Sequence, residues 1–376
     1  MTNRLHSIDA ARALFLLLGI PFHFTTISIW TMKVHAQEIL MSPTIAIFIA
    51  LSHSFRMFAF FILSGYFSAL IIRKRGKAAW FSDRVERLGV PFVASVFTIG
   101  VAINVLQRYT MSGQFGMPSW NSISIGHLWF LIVLLMYVVT LYLLIDKIRI
   151  SDTFVIRALS LMGMPGILLI GVLALWGLGR SAFDIVMERG EIPLAGIWSH
   201  FILHAPAFAI GAAAQLSSLK ERLFTIARTR FFVIAAIVAV AVVYLEAMAR
   251  PSLGLGVEKS WIEKVVTNVL VLPAALLFSL CVFRLLESLV TREKPWITFF
   301  VQGAMSIYLF HMFWVVVVIY ALASFELYPE VRWVLGSVLA LGLSSISYMI
   351  VRNHPWLSAA YCGTRLPRSL KRPAEV

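Results

Sequence analysis

The chain has 376 residues, of which 60% are hydrophobic and 13% are charged, and its mean hydropathy is +0.87. Ordinary soluble domains are far less apolar, so this composition excludes them. Apolar runs long enough to cross about 30 Å of hydrocarbon recur along the whole chain. We therefore expect an all-α integral membrane protein that crosses its membrane several times.

The hydropathy pattern predicts about ten transmembrane helices and one domain. We expect a single membrane-embedded domain over residues 1–376, with a basic tail at 353–376. The predicted helices cover residues 11–31, 44–72, 88–107, 127–146, 155–178, 199–217, 230–249, 265–287, 296–322 and 331–352.

The positive charges divide unequally between the two sides of this layout. The side that holds both termini carries 22 of the 32 lysines and arginines, and the opposite side carries eight. Basic residues concentrate on the cytoplasmic side of membrane proteins, so we expect cytoplasmic N- and C-termini. The net charge of +14 is then a topology signal, and without a basic soluble domain it does not indicate nucleic acid.

The first predicted helix combines Asp9 and Arg12 with His23 eleven residues later. In a regular helix, eleven steps of about 100° place Arg12 and His23 on one face. Ionisable groups inside a bilayer are costly and are therefore functional candidates. The structural alternative is that Arg12 anchors the helix at the interface and His23 only packs.

The second predicted helix carries a polar stripe on an apolar background. His53, Arg56 and Ser64 recur at helical spacing, and Arg56 lies near the middle of the membrane by helix rise. An arginine at that depth must face protein, a cavity or an anion. We predict that these groups meet His23 in one cavity if the first two helices are neighbours. A purely structural contact of Arg56 with backbone carbonyls is the alternative.

A basic cluster follows this helix on the predicted cytoplasmic side. Arg73 and Arg75 precede Arg84 and Arg87, which are one helical turn apart. Arginines bind phosphates through two parallel hydrogen bonds, so the cluster is a candidate phosphate site. The residues alone favour the alternative, ordinary positive-inside charge in contact with anionic lipid.

Three later segments carry polar groups within or beside apolar helices. His127 and Trp129 stand at the outer start of the fourth predicted helix, and His311 follows Ser306 and Tyr308 in the ninth. We expect His127, Trp129 and His311 to line a substrate cavity. A histidine pair at i, i+4, His200 and His204, has zinc-binding spacing but no evident third ligand, so we expect no metal.

Several of these residues together resemble the membrane acyltransferase 3 family. Arg12 and His23 match the family's R-x10-H pattern, Phe60–Gly65 resembles its FFxxSG segment, and Arg84–Arg87 resembles its RxxR segment. Ser7–Arg12, Phe55–Phe58 and His127–Leu131 are most similar to members that act on periplasmic glucans.

The resemblance implies an acyl-CoA-dependent acyltransferase, transferring groups other than aminoacyl groups, in the bacterial inner membrane. It gives His23 the central catalytic role and makes Arg12, Arg84 and Arg87 contacts for the phosphates of acyl-CoA. Succinyl-CoA is the expected donor and a periplasmic glucan the expected acceptor, with no permanently bound cofactor. We assign Asp9 and Arg56 to catalysis beside His23. The alternatives are an O-acetyltransferase of another envelope polysaccharide and a membrane transporter.

Overall fold

The structure, a computed structural model, describes residues 6–28, 42–113, 116, 126–147, 165–189, 194–216, 261–292 and 294–366. Throughout these residues the secondary structure is helical, and they contain no strand. In chain order the α-helices are α1 (His6–Leu17), α2 (Gly19–Ile27), α3 (Pro43–Arg75), α4 (Lys77–Ser95), α5 (Val101–Ser112), α6 (Trp129–Leu144), α7 (Pro165–Arg189), α8 (Ala195–Leu216), α9 (Trp261–Leu289), α10 (Pro295–Leu322), α11 (Pro329–Val351) and α12 (Pro355–Cys362).

Eight helices of the described residues are long and apolar enough to cross a membrane. They match eight of the ten predicted spans. The predicted span at 230–249 lies outside the described residues. The span predicted at 155–178 corresponds in part to α7, which is not among the eight. The eight cover Ser7–Ile27, Pro43–Arg75, Lys77–Thr110, Gly126–Leu144, Ala195–Gln215, Asn268–Leu289, Pro295–Leu322 and Pro329–Val351.

The boundaries of α7 correct the prediction for this region. The helix continues past the predicted end at 178 to Arg189, and this added part carries Arg180 and Asp184. These two side chains form an ion pair at 3.3 Å one helical turn apart. Hydropathy ended the helix at its first charged residues, whereas pairing between them allows the helix to continue.

The predicted basic loop after α3 is also mostly helix. Gly76 alone separates α3 from α4, with a φ of 81° that a side chain would disfavour. Arg84 and Arg87 therefore lie on a helix, α4, that begins eleven positions before the predicted start at 88. A π-helical segment, Val96–Gly100, then connects α4 to α5.

The helix that carries His23 is not regular. The α-helical pattern pauses at Leu18, between α1 and α2. Pro21 has no N–H to donate to the carbonyl of Leu17, which explains a break at this point. The prediction that Arg12 and His23 share one helix face assumed a regular helix. Because the helix is interrupted between them, that common face stays a prediction.

The described residues divide into two compact units, which we treat separately. The first unit comprises Met1–Arg12, Ala50–Trp80 and Met136–Arg292, and the second comprises Ala13–Ile49, Phe81–Leu135 and Glu293–Val376.

In the second unit, α2 packs against α10 and α11. Phe24 is fully buried, and its ring occupies the space beside Gly336, where an added Cβ would lie 2.2 Å from Phe24 Cε2. Trp333 Nε1 donates to the carbonyl of Pro21 at 3.1 Å, and this bond ties α11 to the proline turn. The contacts hold α2, and with it His23, in a fixed place against α10.

In the first unit, two glycines allow α3 and α8 to touch through their backbones. A Cβ on Gly65 would lie 2.0 Å from the carbonyl oxygen of Phe208, and one on Gly211 would lie 1.8 Å from that of Ile62. Small residues permit this close approach between membrane helices. The glycine of the FFxxSG segment is therefore a packing residue.

The predicted tail at 353–376 begins with a folded part, α12, which packs on α10 and α11. Gly363 ends α12 in the left-handed conformation, with a φ of 65°. Burial raises the pKa of the Cys362 thiol, the last residue of α12.

Candidate active site

Three histidines meet in the second unit. The ring centroid of His311 lies 5.3 Å from that of His23 and 5.3 Å from that of His127. Tyr308, one turn before His311 on α10, lies 5.3 Å from the His311 ring and 5.5 Å from the His127 ring. Of the predicted cavity residues, His311 thus lies beside the predicted catalytic residue His23, and His127 lies beside His311.

The backbone fixes how the buried imidazoles carry their protons. His311 Nδ1 is hydrogen-bonded to the carbonyl of Tyr308, and His127 Nε2 to that of Leu309 at 3.3 Å. A carbonyl only accepts, so each of these ring nitrogens is the donor. In its neutral form His311 therefore keeps its lone pair on Nε2, and His127 keeps its lone pair on Nδ1.

The side chains of this cluster differ in how deeply they are buried. His311 is fully buried, His127 is 4% exposed and Tyr308 is 7% exposed, whereas His23 is only partly buried. The hydroxyl of Tyr308 donates to the carbonyl of His127 and so joins α10 to the start of α6. His23 is therefore the least buried of the three histidines, and within the cluster its ring lies beside that of His311.

His311, the buried member of the cluster on α10, lies well inside a membrane-spanning helix, whereas His23 and His127 lie nearer the ends of theirs. His311 is roughly 24 Å from the start of α10 and roughly 17 Å from its end, at 1.5 Å of rise per residue. Imidazoles at this depth can exchange a proton in a site from which bulk water is largely excluded. Trp129, the first residue of α6, belongs to the same unit and is half-buried.

The polar stripe of α3 falls in the first unit, whereas His23 falls in the second. Arg56 is 5% exposed and His53 is exposed, while the hydroxyl of Ser64 donates to the carbonyl of Phe60 at 3.0 Å. The cavity shared with His23 stays a prediction.

Asp9 and Arg12 also belong to the first unit. The two side chains form a loose ion pair at 3.9 Å, and the Arg12 guanidinium lies 5.3 Å from the ring centroid of Phe67. A cation over an aromatic face is stabilised by the ring quadrupole, so Phe67 holds Arg12 in place. Contact of Arg12 with the donor phosphates stays a prediction.

The basic residues predicted to bind phosphate are distributed over both units. Arg73 and Arg75 are exposed at the end of α3 in the first unit, where Arg73 donates to the carbonyl of Gln215 at 3.1 Å. Arg84 and Arg87 lie on α4 in the second unit and are partly buried.

The His200–His204 pair lies in the first unit, with parallel rings 6.1 Å apart. His204 also stacks on Phe61, with 4.8 Å between the ring centroids. Within the described residues, no group of three or more histidine, cysteine, aspartate or glutamate side chains is arranged to hold a metal ion.

The sequence pointed to the segment that contains Tyr308 but did not predict that Tyr308 belongs to the site. Its only signal was a position one turn before His311 in an apolar helix. Its hydroxyl bond to His127 spans 181 positions of sequence, and such a contact leaves no local pattern.

Comparison with known families identifies the family of the chain. The family described as the acyltransferase domain matches residues 5–349. The chain belongs to this acyltransferase family. The match includes His23, His127 and His311, and the chain is thus an acyltransferase with several membrane-spanning helices.

Curated relatives of this acyltransferase carry a common name. Proteins named glucans biosynthesis protein C from Salmonella paratyphi B, Salmonella dublin and Salmonella gallinarum are each 25% identical to it, over 96% of this chain and 95% of the relative. The similarity therefore extends over nearly the whole length of both proteins. No solved structure matches the chain.

Proposed function

We propose that this acyltransferase moves an acyl group from cytoplasmic acyl-CoA to a hydroxyl of a periplasmic glucan, with succinyl as the acyl group. The proposal is supported by the family, by the name of the curated relatives and by the histidine cluster of the second unit. The observation that carries it is the contact of partly buried His23 with fully buried His311.

In the proposed reaction His23 is the general base. Its neutral imidazole takes the proton of the sugar hydroxyl while the hydroxyl oxygen attacks the thioester carbonyl. The new C–O bond forms, the C–S bond breaks, and the thiolate of CoA takes the proton back from the imidazolium. A thioester is already activated, so the protein has mainly to position the reactants and manage this proton.

We propose that Arg56 stabilises a negative charge of the reactants, either the developing oxyanion or the free carboxylate of the donor. A guanidinium stabilises an oxyanion or a carboxylate through charge-assisted hydrogen bonds. A buried arginine in a membrane helix therefore suits a succinyl donor, whose free end is a carboxylate. Asp9 is proposed to support Arg12 through their ion pair.

A purified preparation with a defined donor tests the activity. Free thiol release from succinyl-CoA is measured with and without added periplasmic glucan, and again with acetyl-CoA. We expect thiol release that depends on the glucan and is faster with succinyl-CoA. A preference for acetyl-CoA would favour the alternative O-acetyltransferase, and the absence of thiol release with either donor would favour a transporter.

The catalytic role of His23 is tested by His23→Ala. We expect turnover to fall by about 10²–10⁴, the usual contribution of a general base, because no other group replaces the lost imidazole. His354→Ala is the matched control, since His354 is an exposed histidine of the same unit outside the cluster. Wild-type turnover in a correctly inserted His23→Ala variant contradicts the assignment.

A further inference from the structure

The C-terminal segment forms an ionic cluster with α4 in the second unit. Asp83 Oδ1 accepts from Arg365 Nη2 at 2.7 Å and from Arg365 Nε at 2.9 Å. The other carboxylate oxygen, Asp83 Oδ2, lies 3.1 Å from Arg87 Nε. One carboxylate thus holds two guanidinium groups that are 278 positions apart in the sequence.

The segment that carries Arg365 is attached to α4 on both sides of that residue. The backbone N–H of Leu366 donates to Glu86 Oε1 at 2.7 Å. On the other side, Gly363 approaches so closely that an added Cβ would lie 2.9 Å from the carbonyl oxygen of Arg87. Arg365 is therefore placed by the fold, although it lies beyond residues 5–349 matched by the family.

The two arginines remain open to solvent although their partner is not. The side chain of Asp83 is 10% exposed, whereas those of Arg87 and Arg365 are 41% and 56% exposed. The carboxylate is more deeply buried than the two guanidinium groups and neutralises one of their two charges. Arg84 adds a third guanidinium to the same turn of α4, and Glu86 is engaged by the Leu366 amide.

The cluster is connected to the histidine site through α12. On α10 the Phe310 ring lies 5.1 Å from the ring of Tyr361, and the two helices pack against each other. The chain then passes through Gly363 to Arg365. The arginine cluster and the histidine cluster are thus joined by two packed helices of one unit.

We propose that Arg365, oriented by Asp83, is a further binding residue for the acyl-CoA donor and holds its terminal phosphomonoester together with Arg87. The inference rests on the proposed function, from which it takes the donor. Two guanidinium groups with free N–H donors can surround a phosphate dianion, and the shared carboxylate keeps them in place before the ligand arrives. Arg365 is then a binding residue, and Asp83 is a positioning residue. The phosphate of an anionic lipid headgroup has the same chemistry and is the other source to be separated.

Calorimetry on the purified full chain with CoA and with dephospho-CoA tests the inference. We expect Arg365→Ala to weaken CoA binding about tenfold and to leave dephospho-CoA binding unchanged, since only CoA carries the phosphomonoester. Asp83→Asn should show the same dependence on the phosphate. Arg352→Ala is the matched control, because Arg352 is an exposed arginine of the same unit that stacks on Tyr348 instead of joining the cluster.

The outcomes distinguish the inference from a purely structural role, in which Arg365 and Asp83 only hold the C-terminal segment on α4. They also distinguish it from a failure of the proposed function. Equal CoA affinity in wild type and Arg365→Ala overturns the inference, and so does an equal loss for both ligands. If Arg365→Ala does not fold, Arg365→Lys replaces it, because lysine keeps the positive charge but lacks the parallel N–H donors of the guanidinium. We expect this variant to show a smaller loss of affinity, again for CoA and not for dephospho-CoA. A failure of wild type to bind CoA at all overturns the proposed function with it.

Repetition in nanodiscs separates the two phosphate sources. The loss of CoA affinity in Arg365→Ala is expected to be the same in neutral and in anionic lipid. If Arg365→Ala leaves CoA affinity unchanged and only reduces the stabilisation of the protein by anionic lipid, the cluster binds lipid headgroups. This result overturns the inference.

Discussion

At the scale of single residues, His311 is the centre of the candidate site. It contacts the rings of His23, His127 and Tyr308, and it is fully buried. Because its Nδ1 donates to the carbonyl of Tyr308, its Nε2 is the nitrogen left to accept a proton or hydrogen bond from a neighbour. We infer that His311 positions His23, and its contact with the substrate stays a prediction.

His311→Asn tests this positioning role. The asparagine amide reproduces the Nδ1 donor toward Tyr308 but removes Nε2, so the local helix contact is retained and the accepting nitrogen is lost. We expect kcat to fall about 100-fold, the low end of the contribution of an acid–base group. The limb of the pH–rate profile that reports His23 should also shift, whereas KM for the donor should change little.

His311→Gln is the comparison variant, since its amide reaches the position of Nε2 instead of Nδ1. If Nε2 matters, the glutamine variant retains more activity than the asparagine variant. A fall in kcat without any shift of the pH profile contradicts positioning of His23 and indicates a packing role.

Each residue of the cluster could be found in the sequence, but their contact could not. His23, His127 and His311 stand out because a polar group in an apolar helix costs energy. Nothing local shows that α2, the start of α6 and α10 meet, because these contacts join distant parts of the chain. Arg87 was predicted from the sequence as a phosphate contact, but Arg365 was missed, because its contact with Asp83 joins residues 282 positions apart.

At the scale of helices, the FFxxSG segment illustrates how a family motif serves packing. Gly65 and Gly211 face each other's helices across the crossing of α3 and α8, with no room for a Cβ on either. Ser64, beside Gly65, bonds to its own helix. The motif thus explains how α3 is held in the first unit, and that unit also contains Arg56.

Gly211→Ala tests the crossing of α3 and α8. The added Cβ would lie 1.8 Å from a backbone oxygen, which cannot move as a side chain can, so the helices must separate. We expect a lower thermal midpoint and a loss of roughly 1–3 kcal/mol or more, as for other overpacked cores. Samples are heated and then separated by gel filtration, and the fluorescence of the remaining peak measures the fraction that is still folded.

Gly171→Ala is the matched control in the same unit. Gly171 also lies in a helix, α7, but a Cβ added there would meet no atom of a neighbouring element within 4 Å. Alanine there should be neutral or slightly stabilising, because it has the higher helix propensity. Equal midpoints for the two variants contradict the packing role of Gly211.

Helix ends were harder to predict than helices. Five helices, α3, α7, α10, α11 and α12, begin at a proline, which fits the first turn because its missing N–H is not needed there. The one-residue connection at Gly76 was not predicted, because charged residues between two apolar runs read as a loop. In the structure the same residues continue α3 and begin α4, where lysine and arginine extend from the helix ends.

At the scale of the whole molecule, orientation decides whether the two proposed sites can work together. The arginine cluster requires access from the cytoplasm, where CoA is present, and the acceptor must arrive from the opposite side. The charge distribution predicts cytoplasmic termini, and Arg365 follows α12 on the side of the C-terminus. Reversed orientation would place the arginine cluster on the wrong side.

The two ends of α11 provide a direct test of this orientation. Glu326 precedes α11 and Asn353 follows it, and both residues are exposed. In a background with Cys281→Ser and Cys362→Ser, a membrane-impermeant maleimide should label Glu326→Cys in spheroplasts, because that end is predicted to be periplasmic. Asn353→Cys should be labelled only after the membrane is disrupted. The opposite pattern would put Arg365 outside the cell, where it could not meet cytoplasmic acyl-CoA, and would contradict the predicted topology and both proposals at once.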